Sequence, residues 1–178
     1  MKKIFTLTLL LFLTTSFTQA KEDTSEENNT MTMTDTLGKT YEIIGTENGL
    51  KIKGLEGKVV FLEFFGYRCP PCIASIPNLI ELQDKYKDKL AIVSIEVQGY
   101  TDEQLAAFVK SKKMNYIVAS EQRAFSVLSY IQLRAGWNGS IPFLVVTDGQ
   151  GDVKFIHTGM LSKAELEELI LKYSNTTK

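Results

Sequence analysis

Cysteine, histidine and excess positive charge are all scarce in this sequence, and each scarcity excludes something. Two cysteines in 178 residues cannot form a disulfide framework. With 44% hydrophobic residues the chain has apolar material for a packed core and needs no such framework. The formal net charge is −1, and no basic stripe is interleaved with aromatics, which excludes a nucleic-acid-binding surface. There is one histidine, so a histidine-rich metal centre is excluded. Without a third cysteine, a peroxidase with a resolving thiol remote from its reactive pair is excluded too. No internal repeat is present.

The two cysteines form one motif, Cys69-Pro70-Pro71-Cys72, directly after the apolar run Val59–Phe65. A structural bridge gains most by closing a long loop, and a bridge here closes almost none. Two thiols at a strand-to-helix junction therefore read as a redox couple.

The amino terminus reads as an address. Lys2 and Lys3 precede the short apolar run 4–13, and Thr18-Gln19-Ala20 offers a small-residue cleavage site, the pattern of a secretory signal peptide over residues 1–20. The run is short for a bilayer span; an uncleaved amino-terminal anchor is the alternative. With no cysteine near the cleavage site, a lipid-anchored lipoprotein is excluded. Export places the cysteines in an oxidising compartment, with a periplasmic location as the expectation. Residues 21–33 are polar and read as a flexible linker, residues 34–174 as one domain, and 175–178 as a tail.

Within the domain, residues 38–54 predict a small hairpin. Val59–Phe65 is apolar on both faces, as in a strand covered by helices on both sides. Helical spacing of Ile73, Ile76, Leu79 and Ile80 predicts a helix over 70–86. A second central strand is expected over 90–97, a helix capped by Thr101 to residue 112, a short strand over 116–119 and a helix over 121–131. A hairpin of 142–147 and 152–158 follows. The last helix starts with a capping box of Ser162 and Glu165 and carries the stripe Leu166, Leu169, Ile170 and Tyr173. The order predicts an α/β fold, a central mixed sheet flanked by helices.

Residues around this motif also bear on the chemistry. Unpaired N–H groups and the positive dipole end of a helix opening at Pro70 favour a thiolate at Cys69, and Cys72, one turn on, is placed to resolve a mixed disulfide. Arg68 adds positive charge beside Cys69. Glu63 shares its strand face with Val59, Phe61 and Phe65, so its carboxyl is expected to be desolvated and to exchange protons with the buried sulfur. Ile141-Pro142 opens an apolar strand, and a cis bond there leaves Ile141 backbone groups for a substrate segment. Pro77 falls inside the first helix. Tyr67, Arg68 and Trp137 are placed by proximity along a client groove.

The run from Lys58 to Cys72, followed by Pro77, Ile141-Pro142, Gly151-Asp152-Val153 and Gly159, resembles thioredoxin-fold proteins of the TlpA/ResA-like group over roughly residues 34–173. The resemblance implies a thioredoxin-like fold with an amino-terminal β-hairpin. The 70-residue spacing of Cys72 and Pro142 suits the group's additional central strand and helix. It also implies an exported thiol–disulfide oxidoreductase, often a reductant for cytochrome c maturation or another extracytoplasmic thiol client. Cys69 becomes the nucleophile, Cys72 the resolving thiol, Pro142 the cis-proline and Glu63 the buried acid. Such a protein needs no cofactor and no metal. It acts as a monomer on client proteins through a transient mixed disulfide, and a membrane redox partner resets it. The chain departs from the pattern at Arg68, where the group usually has Trp, and at Ile73 and Ser75, where a basic and an acidic residue are usual. Leu62-Glu63-Phe64-Phe65 with the following Cys-Pro is also similar to DsbA-type oxidants, so a disulfide-forming oxidant is the alternative. A thioredoxin-fold copper chaperone, with His157 joining the two cysteines, is a further alternative.

Overall fold

The computed structural model describes residues 29–174. The expected signal peptide, most of the linker and the 175–178 tail lie outside the described residues. Among the described residues, no helix is long and apolar enough to cross a membrane.

Three short strands come first: β1 (Thr30–Thr34), β2 (Thr40–Gly45) and β3 (Leu50–Ile52). They form an antiparallel sheet in the order β1-β2-β3. The expected hairpin over 38–54 is present as β2–β3, and β1 extends it. Here the linker expectation is corrected: residues 30–33 belong to the fold. Thr-Met-Thr-Met-Thr is a period-two pattern that turns Met31 and Met33 inward, and Met33 is 1% exposed. Asp35 holds the β1–β2 turn by accepting from the Leu37 and Lys39 amides, both at 2.9 Å.

The remainder is β4 (Val59–Phe65), α1 (Pro70–Lys85), β5 (Leu90–Glu96), α2 (Asp102–Lys112), β6 (Ile117–Ser120), α3 (Phe125–Ala135), β7 (Phe143–Thr147), β8 (Val153–Thr158) and α4 (Lys163–Ser174). The strands form a mixed sheet in the order β6-β5-β4-β7-β8. β4, β5 and β6 run parallel, β7 is antiparallel to β4, and β8 is antiparallel to β7. The site-bearing β4 is thus the central strand. The helix expected over 121–131 is instead a 3-10 turn, Gln122–Ala124, leading into α3, which runs on to Ala135. It stops where Gly136 takes φ +66°, the left-handed cap that favours glycine.

Alternation along the strands divides the core in two. Val60, Leu62 and Phe64 of β4 face one side, packed with Met33, Ile43 and Ile131 from the small sheet and α3. Val59 and Phe61 face the other, against Leu79 and Leu82 of α1 and Leu166 and Ile170 of α4. Phe65 continues that second face into a cluster with Cys72, Ile76 and Leu105 of α2. The small sheet is clipped to the β7–β8 turn by Leu50 N–H to Gly151 O and Val153 N–H to Asn48 O, both 2.9 Å. A side chain on Gly49 would put its Cβ 2.2 Å from Gly151 O, so this junction requires glycine.

Candidate active site

α1 starts at the end of the central strand, and its first turn is built around sulfur. Cys69 is the N-cap residue with extended backbone (φ −101°, ψ 99°), and Pro70 and Pro71 fill the first two helical positions. Proline suits those positions because their N–H groups have no intrahelical partner. The Cys72 N–H points at Cys69 Sγ at 3.3 Å, and Ile73 N–H donates to Cys69 O at 3.0 Å. The cysteines are joined as a disulfide with Cα atoms 5.2 Å apart. Cys69 is 6% exposed and Cys72 1%, so the first sulfur is the one nearer solvent. The first turn holds no acidic residue. A thiolate formed at Cys69 therefore meets a directed N–H and the positive end of a helix dipole, with no opposing carboxylate in that turn.

Glu63 lies in the middle of β4 on the face that α1 and α4 cover, as its alternation predicts. It is 7% exposed. Ser94 on the neighbouring strand donates from Oγ to Glu63 Oε2 at 2.7 Å; the two residues are in register across β4–β5. Burial pushes the Glu63 carboxyl up to about 7, against the opposing pull of the Ser94 hydrogen bond. A cavity of about 30 Å³ touches Glu63, Ser75, Pro142, Gly159 and Met160, enough for a single water. Ser75 stands where the family pattern usually has an acid. It faces the same cavity as Glu63 and ties to the redox turn by donating to Cys72 O at 2.8 Å.

Ile141-Pro142 is a cis peptide. Pro142 O accepts from Gly159 N–H at 2.8 Å. Ile141 precedes the ladders of β7, which begin at Phe143 on both sides, and its side chain packs beside the cysteine cluster.

The rim residues are held from below. Tyr67 stacks on Tyr100 with ring centroids 3.8 Å apart. The Arg68 guanidinium lies over the Tyr67 ring at 4.7 Å and bonds the Tyr67 hydroxyl. Arg68 N–H donates to Gln98 Oε1 at 2.8 Å. Gln98 in turn belongs to a loop anchored on Glu96, a fully buried carboxylate that accepts from Gln98 N–H at 2.9 Å and Tyr100 N–H at 3.0 Å. A Cβ on Gly66 would fall 2.3 Å from Gln98 Cδ, so the bare backbone at Gly66 is what admits the Gln98 side chain. Trp137 does not join Tyr67 and Arg68. It packs edge-on to Phe64 at 4.7 Å on the opposite face of the sheet, and its Nε1–H donates to Ser140 O.

Ser94, Glu96 and Gln98 escape the sequence reading. A signal for the first two existed: both sit on one face of a strand that is otherwise apolar, the same anomaly that marks Glu63. His157 lies on β8, stacked at 5.9 Å on Phe155. Among the described residues no group of three His, Cys, Asp or Glu converges as a metal site, so His157 does not join the cysteines.

A family model described as thioredoxin-like matches residues 57–153, the stretch from the turn before β4 to the start of β8. Among curated proteins, the thiol–disulfide oxidoreductase ResA of Bacillus thuringiensis subsp. konkukian (strain 97-27) is 30% identical over 161 residues, covering 86% of this chain and 80% of its own length. The thioredoxin-like protein YneN of Bacillus subtilis (strain 168) is 26% identical over 123 residues, 66% of each chain. Among solved structures, a thiol:disulfide interchange protein of Chlorobium tepidum TLS superposes with a TM-score of 0.65 at 22% identity, over 83% of this chain and 94% of that one. A secreted Mycobacterium tuberculosis disulfide oxidoreductase, homologous to E. coli DsbE, superposes with a TM-score of 0.61 at 18% identity, over 83% of this chain and 99% of that one. With a Cys-x-x-Cys pair at the head of α1 and these relatives around it, the chain belongs to the TlpA/ResA-type thiol–disulfide oxidoreductases of the thioredoxin-like family.

Proposed function

We propose that this oxidoreductase is exported and works as a reductant of client protein disulfides, as in cytochrome c maturation or other extracytoplasmic thiol maintenance. The Cys69 thiolate attacks one sulfur of the client disulfide, a client thiolate leaves, and a mixed disulfide forms. Glu63, as carboxylate, takes the proton of the Cys72 thiol. Cys72 then attacks Cys69 Sγ and expels the second client thiolate, which takes up a proton. Two electrons pass to the client, and the Cys69–Cys72 disulfide is left for a membrane dithiol partner to reduce. Ile141 offers its backbone to an extended client segment, and Tyr67 with Arg68 forms the rim that segment crosses.

The observation that carries the reading is the disulfide at the head of α1 with a buried carboxyl on the strand behind it. Direction follows from what the site does to the reduced form, because a couple is oxidising when its reduced form is stabilised. Here Pro70 and Pro71 remove two N–H donors from the first turn, a buried carboxylate opposes thiolate formation, and Arg68 is committed to Tyr67. These three weigh against the Cys69 thiolate that the Cys72 N–H and the helix dipole favour, and they support a reducing couple. The likeness to relatives named ResA and to a secreted DsbE homologue, together with the signal-peptide pattern of residues 1–20, supports the extracytoplasmic setting.

The test is the reduction potential against glutathione, read beside mixed-disulfide trapping with Cys72→Ser in cells. A potential well below the glutathione couple, with adducts to thiol-bearing clients, supports the reading. A value near the roughly −120 mV of DsbA would make the protein an oxidant.

A further inference from the structure

Two hydroxyl groups lie behind Glu63 that the exchange chemistry above does not use. Ser94 has one hydroxyl proton, and it is directed at Glu63 Oε2; its oxygen keeps lone pairs able to accept. The Tyr116 hydroxyl, just before β6, is enclosed and has no hydrogen-bond partner. Ser94 is in register with Val118 across β5–β6, and Tyr116 lies two residues before Val118; burial and the Glu63 charge raise the Tyr116 pKa, and Ser94 opposes them. Orphaned buried hydroxyls are uncommon and costly. This one stands within reach of a group that has an acceptor to offer.

We propose that Tyr116, Ser94 and Glu63 form a buried hydroxyl relay, in which Ser94 and Tyr116 are positioning residues that bias the Glu63 carboxyl toward its charged form against the effect of burial. With Glu63 charged, a small side-chain rotation gives Tyr116 O–H to Ser94 Oγ and Ser94 O–H to Glu63 Oε2, two aligned dipoles ending on the negative charge. With Glu63 protonated, its own O–H donates to Ser94 and the Tyr116 bond has less to stabilise. The relay thus favours the charged state without a counter-ion. Tyr116 is suited to this because its raised pKa keeps it a donor across the working range.

The surroundings supply few competing charges. On the elements packed here, α1 carries Cys72 in the adjoining cluster, and β5 carries Glu96 two residues beyond Ser94, itself turned to the Gln98 and Tyr100 amides. α2 presents Leu105, α4 presents Leu166 and Ile170, and β7 presents Leu144, none of which titrates.

The inference rests on Glu63 as the proton carrier, and the experiment separates the two. Glu63 is titrated by carboxyl ¹³C NMR in the full-length oxidised protein, where the cysteines do not titrate. The pH profile of disulfide exchange is measured alongside. Ser94→Ala is expected to move the Glu63 midpoint upward by about one to two pH units, the size of a lost hydrogen bond to a charged group. Ser94→Thr should restore it. Tyr116→Phe should move it upward by about half a unit or more, the weight of a second, indirect bond, and should add nothing in a Ser94→Ala background. A midpoint that ignores Tyr116→Phe, or a Tyr116→Phe shift that persists without Ser94, overturns the relay. If the midpoint shifts as stated while Glu63→Gln leaves the exchange profile unchanged, the relay stands and the proton-carrier role falls. Should Ser94→Ala fail to fold, Tyr116→Phe alone decides.

Discussion

Replacing Glu63 by Gln in the oxidised protein should make folding less sensitive to pH, with a sign opposite to that of most carboxylate mutations. The folded-state carboxyl titrates at about 7 against an ordinary value of 4.5. Between those values the folded chain holds a proton that the unfolded chain releases, so stability falls as pH rises through the window. The shift is about 2.5 units, and at about 1.4 kcal/mol per unit the loss amounts to roughly 3 kcal/mol. It is absent below 4.5 and complete above 7. Gln keeps the shape and an acceptor for Ser94 but cannot ionise. Any packing cost of the amide is the same at every pH and drops out of the comparison. The assay is urea unfolding of both proteins at several pH values from 4.5 to 8, with the Cys69–Cys72 disulfide intact so that neither thiol titrates. The variant should gain on the wild type by roughly 3 kcal/mol across the window, about 1 to 2 M in midpoint for an m-value near 2 kcal/mol/M. A difference that stays flat with pH would refute the desolvated carboxyl, and with it the proton-transfer step.

Further outcomes can be checked independently. Cys69→Ser should abolish insulin and client disulfide exchange; wild-type activity in that variant would remove Cys69 as nucleophile. Cys72→Ser should accumulate adducts through Cys69 on non-reducing gels, and their absence would count against the resolving role. Met33→Ala should cost about 2 to 5 kcal/mol in denaturant unfolding, because Met33 is 1% exposed within the core; a loss under about 0.5 kcal/mol, the level of an ordinary surface substitution, would show that β1 is dispensable. Gln98→Ala should leave the fold intact but speed hydrogen exchange at the Arg68 amide, whose acceptor it removes; unchanged exchange there would mean the loop is held otherwise.

The parts of the molecule that alternation and spacing govern were legible in the sequence. β4 carries apolar residues on both faces, so its central place and the burial of Glu63 could both be read from 59–65. The Ser162–Glu165 box could be read because both partners lie within one turn, and it is present, with Glu165 Oε2 accepting from Ser162 N–H at 2.7 Å. Two Met residues of β1 are hidden by the polar run 21–29 before them: a five-residue alternation carries little weight at the end of a longer stretch of linker composition. Trp137 was misplaced because proximity in sequence does not tell which face of a sheet a loop returns to. Ser94 and Gln98 hold groups about 30 residues away in the chain, and no local pattern encodes a pairing of that range.

The Glu96 anchorage has a consequence for the stiffness of the surface around the redox pair. One carboxylate at the tip of β5 fixes two loop amides, and that loop fixes the Arg68 backbone through Gln98 and the Tyr67 ring through Tyr100. The lip beside the reactive sulfur is therefore braced by the sheet itself instead of hanging on a mobile segment. A lip braced in this way loses little freedom on docking, and it has little scope to reshape itself for visitors of different contour. Whatever segment crosses such a lip meets a contour already set before it arrives.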